Sequence, residues 1–446
     1  SHTDDVHNGG HSHPPTLSVP IWTGIPFVVL LLGIAIIPLV ANEWWEKNRN
    51  RALFAIPMGL IGLCFVIFFV DEAITLEKIV VDATSDVKVF HIAETMLDYI
   101  AFIALLASLF IISGGILVSG DFRGKPTTNF KILAIGGLLA SFIATTGAAM
   151  LLIRPLLKAN RYRRYKVHTV IFFIFIVANC GGLLTPLGDP PLFLGFLKGV
   201  PFEWTLIHLC PMWIFVVGSL LVIYFLIDSI LWKKEGGMPT LLQSALENGV
   251  NLDENKEKIK IHGKINFFLI AGVVLVVFSS GVFTKAIESP STGGASFLDS
   301  LRESSILTRM TAAKLGQAVL MMLLAVVSLI ITPLKGELRK KNEFTFHAII
   351  EVAVLFFGIF LAMIPALQYL NTHGAEIVSG VKSAMNIPPD EVCPFIPFWL
   401  TGTLSAFLDN APTYLTFLAT MQGALDVPTA AQMADGSVVA VSIQML

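Results

Sequence analysis

The chain reads as apolar runs separated by short polar stretches. Seven runs are unbroken: 21–40, 52–70, 99–118, 206–232, 265–283, 312–333 and 344–370. Each is long enough to cross about 30 Å of hydrocarbon as a helix. Three more, 132–157, 170–197 and 395–420, are apolar but interrupted by Gly, Pro, Asn, Asp and Thr. Irregular backbone at membrane depth is tolerated only where it lines a cavity or is buried in protein. The pattern predicts an all-α membrane protein whose polar chemistry sits in the three broken segments.

Charge sets the threading. Let 21–40 run from outside to inside, let each full run reverse direction, and let 132–157 and 395–420 be re-entrant hairpins. The inside segments 41–51, 119–131, 154–166, 233–264 and 334–343 then hold 3, 3, 6, 6 and 4 Lys+Arg, or 22 of the 30 in the chain. Cytoplasmic loops carry the excess of basic residues. Were the first hairpin to cross instead, the cluster from Arg161 to Lys166 would fall outside. The count favours re-entrance, with the N-terminus outside an inner (plasma) membrane.

Composition agrees, with 54% hydrophobic and only 14% charged residues among 446, where soluble domains hold about a quarter charged. No basic face of nucleic-acid-binding density appears outside the loops, so none is expected as a partner. Cys64, Cys180, Cys210 and Cys393 lie far apart and form no disulfide or metal pattern. Residues 1–20 read as an extracytoplasmic, His-rich tail, disordered over Ser1–Pro15; His7, His11 and His13 lack a second ligand cluster. A processed secretory precursor would leave such an end outside.

Two halves emerge: a first repeat over 21–232, a cytoplasmic linker over 233–264, and a second repeat over 265–446. Glu254–Lys260 within the linker reads as a solvated helical piece. The stretch from Leu139 to Gly147 aligns with that from Leu404 to Pro412 at an offset of 265, and Ser108–Phe110 with Gly358–Phe360 at 250. The first hairpin opens inward and the second outward, so the repeat is inverted, as in transporters whose broken elements meet a midplane site. The partner of the break near Asn179 is expected at about position 444. The run 438–446 therefore reads as the first third of a last helix. We expect the native protein to continue beyond Leu446, leaving the second site incomplete here.

Candidate chemistry lies in the breaks. Residues 144–149 put Thr145, Thr146 and Gly147 where the first hairpin must reverse, and Thr oxygens with freed carbonyls suit a hard cation. Those threonines could equally back-bond within one continuous helix. The run from Asn179 to Pro191 holds two adjacent glycines, three prolines and Asp189, which no regular helix accommodates. Asn179, Thr185 and Asp189 can complete an oxygen cage there, between opposed half-helix dipoles. In the second hairpin Asp409 is the leading group for binding a cation or a proton; Asn410 reads equally as a tip contacting backbone amides. Asp189 and Glu351 are further proton-coupling candidates, with Glu351 one turn from His347. Asp98 reads as interfacial, and His208 as a satisfied polar contact.

The runs Thr145–Pro155, Asn179–Pro191 and Leu408–Thr413 resemble the ion transporter superfamily. That group includes NhaD-type sodium/proton antiporters, arsenite pumps, citrate–metal transporters and divalent-anion/sodium symporters. The closest likeness is to NhaD-like proteins classed as sodium/proton antiporters or citrate transporters. The resemblance implies a homodimer, a scaffold domain, and a mobile domain working as an elevator. It points to Thr145, Thr146, Asn179, Thr185 and Asp189 as a first ion site, and to Asp409, Asn410 and Thr413 as a second.

Secondary transport follows, with no enzymatic activity and no cofactor. Na⁺/H⁺ antiport leads, because no basic residue stands in the hairpin tips or the break. The runner-up is transport of citrate or another di- or tricarboxylate coupled to Na⁺, H⁺ or a divalent metal. A third reading is an intramembrane aspartyl protease, from Leu187-Gly188-Asp189. It is weakened by Pro186, which stands where a glycine is required, and by the order Asp98-Tyr99.

Overall fold

The computed structural model describes residues 17–69, 71–72, 87–120, 123–248, 259–288, 306–388 and 395–424. Residues 1–16 of the His-rich tail, Cys393, most of Glu254–Lys260 and the run 438–446 lie outside the described residues. Among the described residues nine helices are long and apolar enough to cross a membrane. The protein is an all-α membrane protein.

The chain passes through α1 (Ile25–Val40), the single turn α2 (Asn42–Trp45), α3 (Asn48–Phe69) and α4 (Val87–Gly114). It continues through α5 (Pro126–Ile143), α6 (Thr145–Ala159), α7 (Val167–Phe173) and α8 (Pro190–Leu197). Then come α9 (Phe202–Lys234), the amphipathic α10 (Gly237–Glu247), α11 (Ile265–Glu288) and α12 (Ile306–Ile331). The short α13 (Glu337–Lys341), α14 (His347–Ala384), α15 (Phe395–Ser405) and α16 (Asn410–Ala424) complete the described chain. α4 and α14 outrun the predicted segments. The extra turns of α4 carry Glu94 and Asp98, which find partners inside the protein, and hydropathy alone does not register that.

The outward faces are apolar. Ile207, Phe215 and Ile230 of α9, Phe268 of α11 and Ile330 of α12 are all more than 60% exposed. Such a surface is stable against lipid and not against water.

Inside, small residues bring two helices close. A Cβ added to Gly59 of α3 would stand 2.9 Å from the Gly358 Cα of α14, and one on Gly62 would stand 2.7 Å from the Ala362 Cα. In lipid, where apolar burial adds no drive, such close approach gains the dispersion that holds helices together. The core beside it is aromatic, with Phe102 of α4 packed on Phe193, Phe356 and Phe360 at ring separations of 4.8–6.4 Å.

Helix ends are closed by buried side chains. Arg339 of α13 donates from Nη1 to the Ile111 carbonyl at 2.7 Å and from Nε to the Thr332 carbonyl at 2.6 Å. Asn342 donates to the Gly114 and Ile116 carbonyls, and Asn266 to that of Gly115. These bonds supply partners for carbonyls at and just past the ends of α4 and α12, which the helices leave unsatisfied. A short antiparallel ladder joins β3 (Leu117–Ser119) to β4 (Lys260–His262), and another joins β1 (Leu17–Ser18) to β2 (Asp71–Glu72). Lys260, expected to end a helical piece, is therefore in a strand; pairing with the segment after α4 overrides its local preference.

Candidate functional site

The predicted reversal within 144–149 falls at its first residue. Ala144 alone separates α5 from α6, with φ 60° and ψ 155°. That region is essentially reserved for glycine and costs an alanine about 1–3 kcal/mol. The strain is held by packing on both sides. Gly136 of α5 faces Leu152 of α6, and at the far end Asn129 and Asn160 exchange carboxamide hydrogen bonds of 2.9 and 2.8 Å. The chain thus enters and leaves this hairpin at the same end. Gly147 is not the pivot: it lies inside α6, where a Cβ would come 3.0 Å from Ser113 Oγ of α4.

The tip docks on the break after α7. The chain there widens into a π-helical turn (Ile174–Asn179), tightens into a 3-10 segment (Cys180–Leu184), and is non-helical until α8 begins at Pro190. Helical hydrogen bonding is lost over these residues, and the tip supplies replacements. The Ser141 hydroxyl donates to the Gly181 carbonyl, and the Thr185 hydroxyl donates to the Ser141 carbonyl. Thr145 N–H donates to the Gly188 carbonyl at 3.1 Å. The break also folds on itself: a Cβ on Gly188 would sit 2.1 Å from the Gly182 carbonyl oxygen. Only glycine fits.

Asp189 stands at the N-cap of α8 without the side-chain hydrogen bond usual at that position. Pro190 and Pro191 follow it and bring no N–H. The carboxylate therefore remains available to a ligand, at the positive end of a helix dipole.

The second hairpin reaches the same place. α16 packs on α8, where a Cβ on Gly195 would lie 2.4 Å from Tyr414 Oη. Asp409 precedes α16 and lies within electrostatic reach of Asp189. One Asp409 carboxylate oxygen accepts the Ala411 N–H at 3.0 Å, and its carbonyl accepts the Thr413 hydroxyl at 2.8 Å. The amide contact considered for Asn410 is thus made by Asp409, while Asn410 Oδ1 accepts from the Ser405 hydroxyl at 2.5 Å.

Thr145, Thr185 and Asp189 meet around the glycine contact, Asp409 lies within electrostatic reach of Asp189 just before α16, and Thr413 is tied to Asp409 through its hydroxyl. Thr146 and Asn179 face outward, and Asn179 Nδ2 returns to the Ile174 carbonyl at 3.0 Å. Glu351 is elsewhere. It pairs at 2.9 Å with Arg51 of α3 rather than with His347, because the α3–α14 contact brings that guanidinium alongside.

A family profile described as "Putative citrate transport" matches residues 16–445. The chain belongs to that family. No curated protein matches it. The described helices and the family together make this a multi-pass membrane protein of a transport family.

In this citrate transporter-like protein the sequence reading missed two buried charge clusters. Asp98, expected at an interface, is only 2% exposed and pairs with Lys314 of α12 at 2.5 Å and Lys198 at 3.0 Å. Lys198 also pairs with Glu94 at 2.9 Å, and His91 approaches Glu94 at 3.7 Å. Both oxygens of Asp98 are thus engaged by lysines, not shared with Asp189 as a protease dyad would require. The second cluster lies at the open end of the first hairpin. Asp228 of α9, fully buried, accepts from Arg163, Asn129 and Tyr224 and contacts His168 at 2.9 Å. Lone charges in apolar runs were the available signal, but the partner of each lies 60 or more residues away in sequence. His208 matches its reading: Nδ1 meets the Trp204 carbonyl at 3.0 Å.

Proposed function

We propose that the protein is a secondary transporter that moves citrate or a related carboxylate together with a cation. The observation that carries this reading is the convergence of Asp189 and Asp409, from two hairpin–helix elements, on one tip-and-break contact. Two neighbouring carboxylates among threonine and backbone oxygens attract a hard cation and repel a bare trianion. A cation bound between them removes that repulsion and gives citrate a counter-charge. Thr145, Asp189, Asp409 and Thr413 are the ligands we assign to it, with Thr185 tying tip to break. The family description favours citrate as the cargo.

Na⁺/H⁺ antiport is the second reading. What favours it is that residues 141–149 and 179–191 contain no Lys or Arg to meet a carboxylate substrate directly. The same proposal includes an inner-membrane setting with an outside N-terminus, supported by the basic-residue count. It also includes a homodimer in which the hairpins and α8 move as an elevator.

The test is flux in proteoliposomes. Labelled citrate uptake should require an inward Na⁺ or Mg²⁺ gradient and should vanish in Asp189→Asn and Asp409→Asn. Uptake indifferent to every cation refutes the coupling. Collapse of a preset pH gradient by Na⁺, with no citrate uptake, selects the antiporter instead.

A further inference from the structure

A cavity of about 420 Å³ lies between the α6–α7 loop and the junction of α9 with α10. Its wall includes Arg161, Arg163, Arg164 and Lys234, against one carboxylate, Glu235. That carboxylate is already committed: one oxygen accepts from Arg163 Nε at 3.1 Å and the other from the Tyr165 N–H at 2.5 Å. Arg161, Arg164 and Lys234 form no ion pair among the described residues. Arg163 is held at the inner wall by Asp228 and by the Trp232 ring 5.2 Å from its guanidinium carbon. Its Nη2 is buried without a hydrogen-bond partner.

We propose that this cavity binds a phosphate group. Three cations without carboxylate partners, two of them arginines with planar donor forks, match the geometry of phosphate oxygens. Tyr165 is already flanked by Arg164 and Lys234 at 5.5 and 5.7 Å, which holds the cations in place. The location fits as well. Trp232 and the adjacent Lys233 and Lys234 end the apolar run of α9, and such residues mark the membrane–water boundary. The phosphate can therefore come from an anionic lipid headgroup or from a soluble phosphate compound. The inference rests on the membrane reading, not on the choice of cargo.

The test uses purified protein and two probes. Native mass spectrometry follows phosphatidylglycerol against phosphatidylcholine, and thermal shift follows inorganic phosphate and pyrophosphate. R161Q/R164Q/K234Q removes the three unpaired cations, and K335Q/K340Q/K341Q removes the same charge from exposed sites elsewhere. Loss of three basic contacts should weaken anionic-lipid binding on the order of 100-fold, with the control unchanged. Selective lipid loss names the headgroup as source; selective loss of the phosphate-induced shift names a soluble compound. Arg164→Gln alone, at an exposed position, should give a partial loss and guards against misfolding of the triple variant. Equal losses in both triple variants, or no binding of either probe to the wild type, would overturn the proposal.

Discussion

Asp98→Asn should destabilise the protein by about 3–5 kcal/mol, because removing one member of a buried ion pair strands the other. The side chain is 3% exposed and that of Lys314 12%, while Lys314 makes no second ion pair among the described residues. Lys198, at 27% exposure, keeps Glu94 and so loses less. The cost therefore concentrates on Lys314. Lys314→Met in the same chain removes the stranded charge, so the double variant should recover at least about 2 kcal/mol of the sum of the single effects. Unfolding of the four proteins in mixed detergent micelles measures this coupling. A coupling below about 0.5 kcal/mol would refute the reasoning, since independent sites add within that margin. pH gives a second check. Burial alone would lower Lys198, but Asp98 and Glu94 outweigh it and raise it above the ordinary lysine value. Its contribution is complete below about pH 10 and is lost only as pH rises through the raised value, so no stability change from this lysine is expected between pH 6 and 10.

Gly188→Ala should abolish transport and lower stability by more than about 2 kcal/mol, since its Cβ would overlap the Gly182 carbonyl; flux and thermal unfolding check both. Ala144→Gly should leave stability unchanged or raise it by up to about 1 kcal/mol, because relief of positive φ offsets the lost methyl, whereas Ala144→Val should cost more than about 1 kcal/mol. Asn129→Ala should loosen the open end of the first hairpin, strand buried groups of Asn160 and Asp228, and cost about 1–3 kcal/mol, read by unfolding and by faster amide exchange across α5 and α6. Gly62→Leu should separate α3 from α14 and cost about 3 kcal/mol or more, measured by the same unfolding assay.

Much of the fold was legible because lipid imposes a simple rule on sequence: a helix that spans must be apolar and long. The seven unbroken runs are helical over most of their length for that reason, although 99–118 leaves its helix at Gly114 and ends in β3. The breaks were legible too, since Gly181, Gly182, Pro186, Gly188, Pro190 and Pro191 cannot continue a helix. Their detail was not. Nothing local marks Ala144 as the pivot, because its φ is imposed by the packing of α5 on α6 and by the docked break. Nor does anything local mark Ser141, whose hydroxyl and carbonyl both serve the break across about 40 residues of sequence. Glu351 shows the same limit: a candidate chosen for its depth in an apolar run proved to be the partner of Arg51 on another helix.

The two buried charge clusters and the candidate site form one mechanical system. Lys198 directly follows α8 and fastens that end of the break to α4 and α12 through Glu94 and Asp98. At the opposite end of the first hairpin, Asp228 fastens Asn129 and the Arg163 loop to α9. Asp189 lies between these anchors, on a non-helical segment that is bonded to the tip through Gly181, Thr185 and Gly188. A site that binds a cation must hold its oxygens within tenths of an ångström, and an unwound segment cannot do so alone. The ion pairs on either side confer that rigidity. If the cation site proposed at Asp189 is correct, Asp98→Asn should weaken Na⁺ or Mg²⁺ binding measured by calorimetry on the folded variant, although Asp98 is not among the proposed ligands.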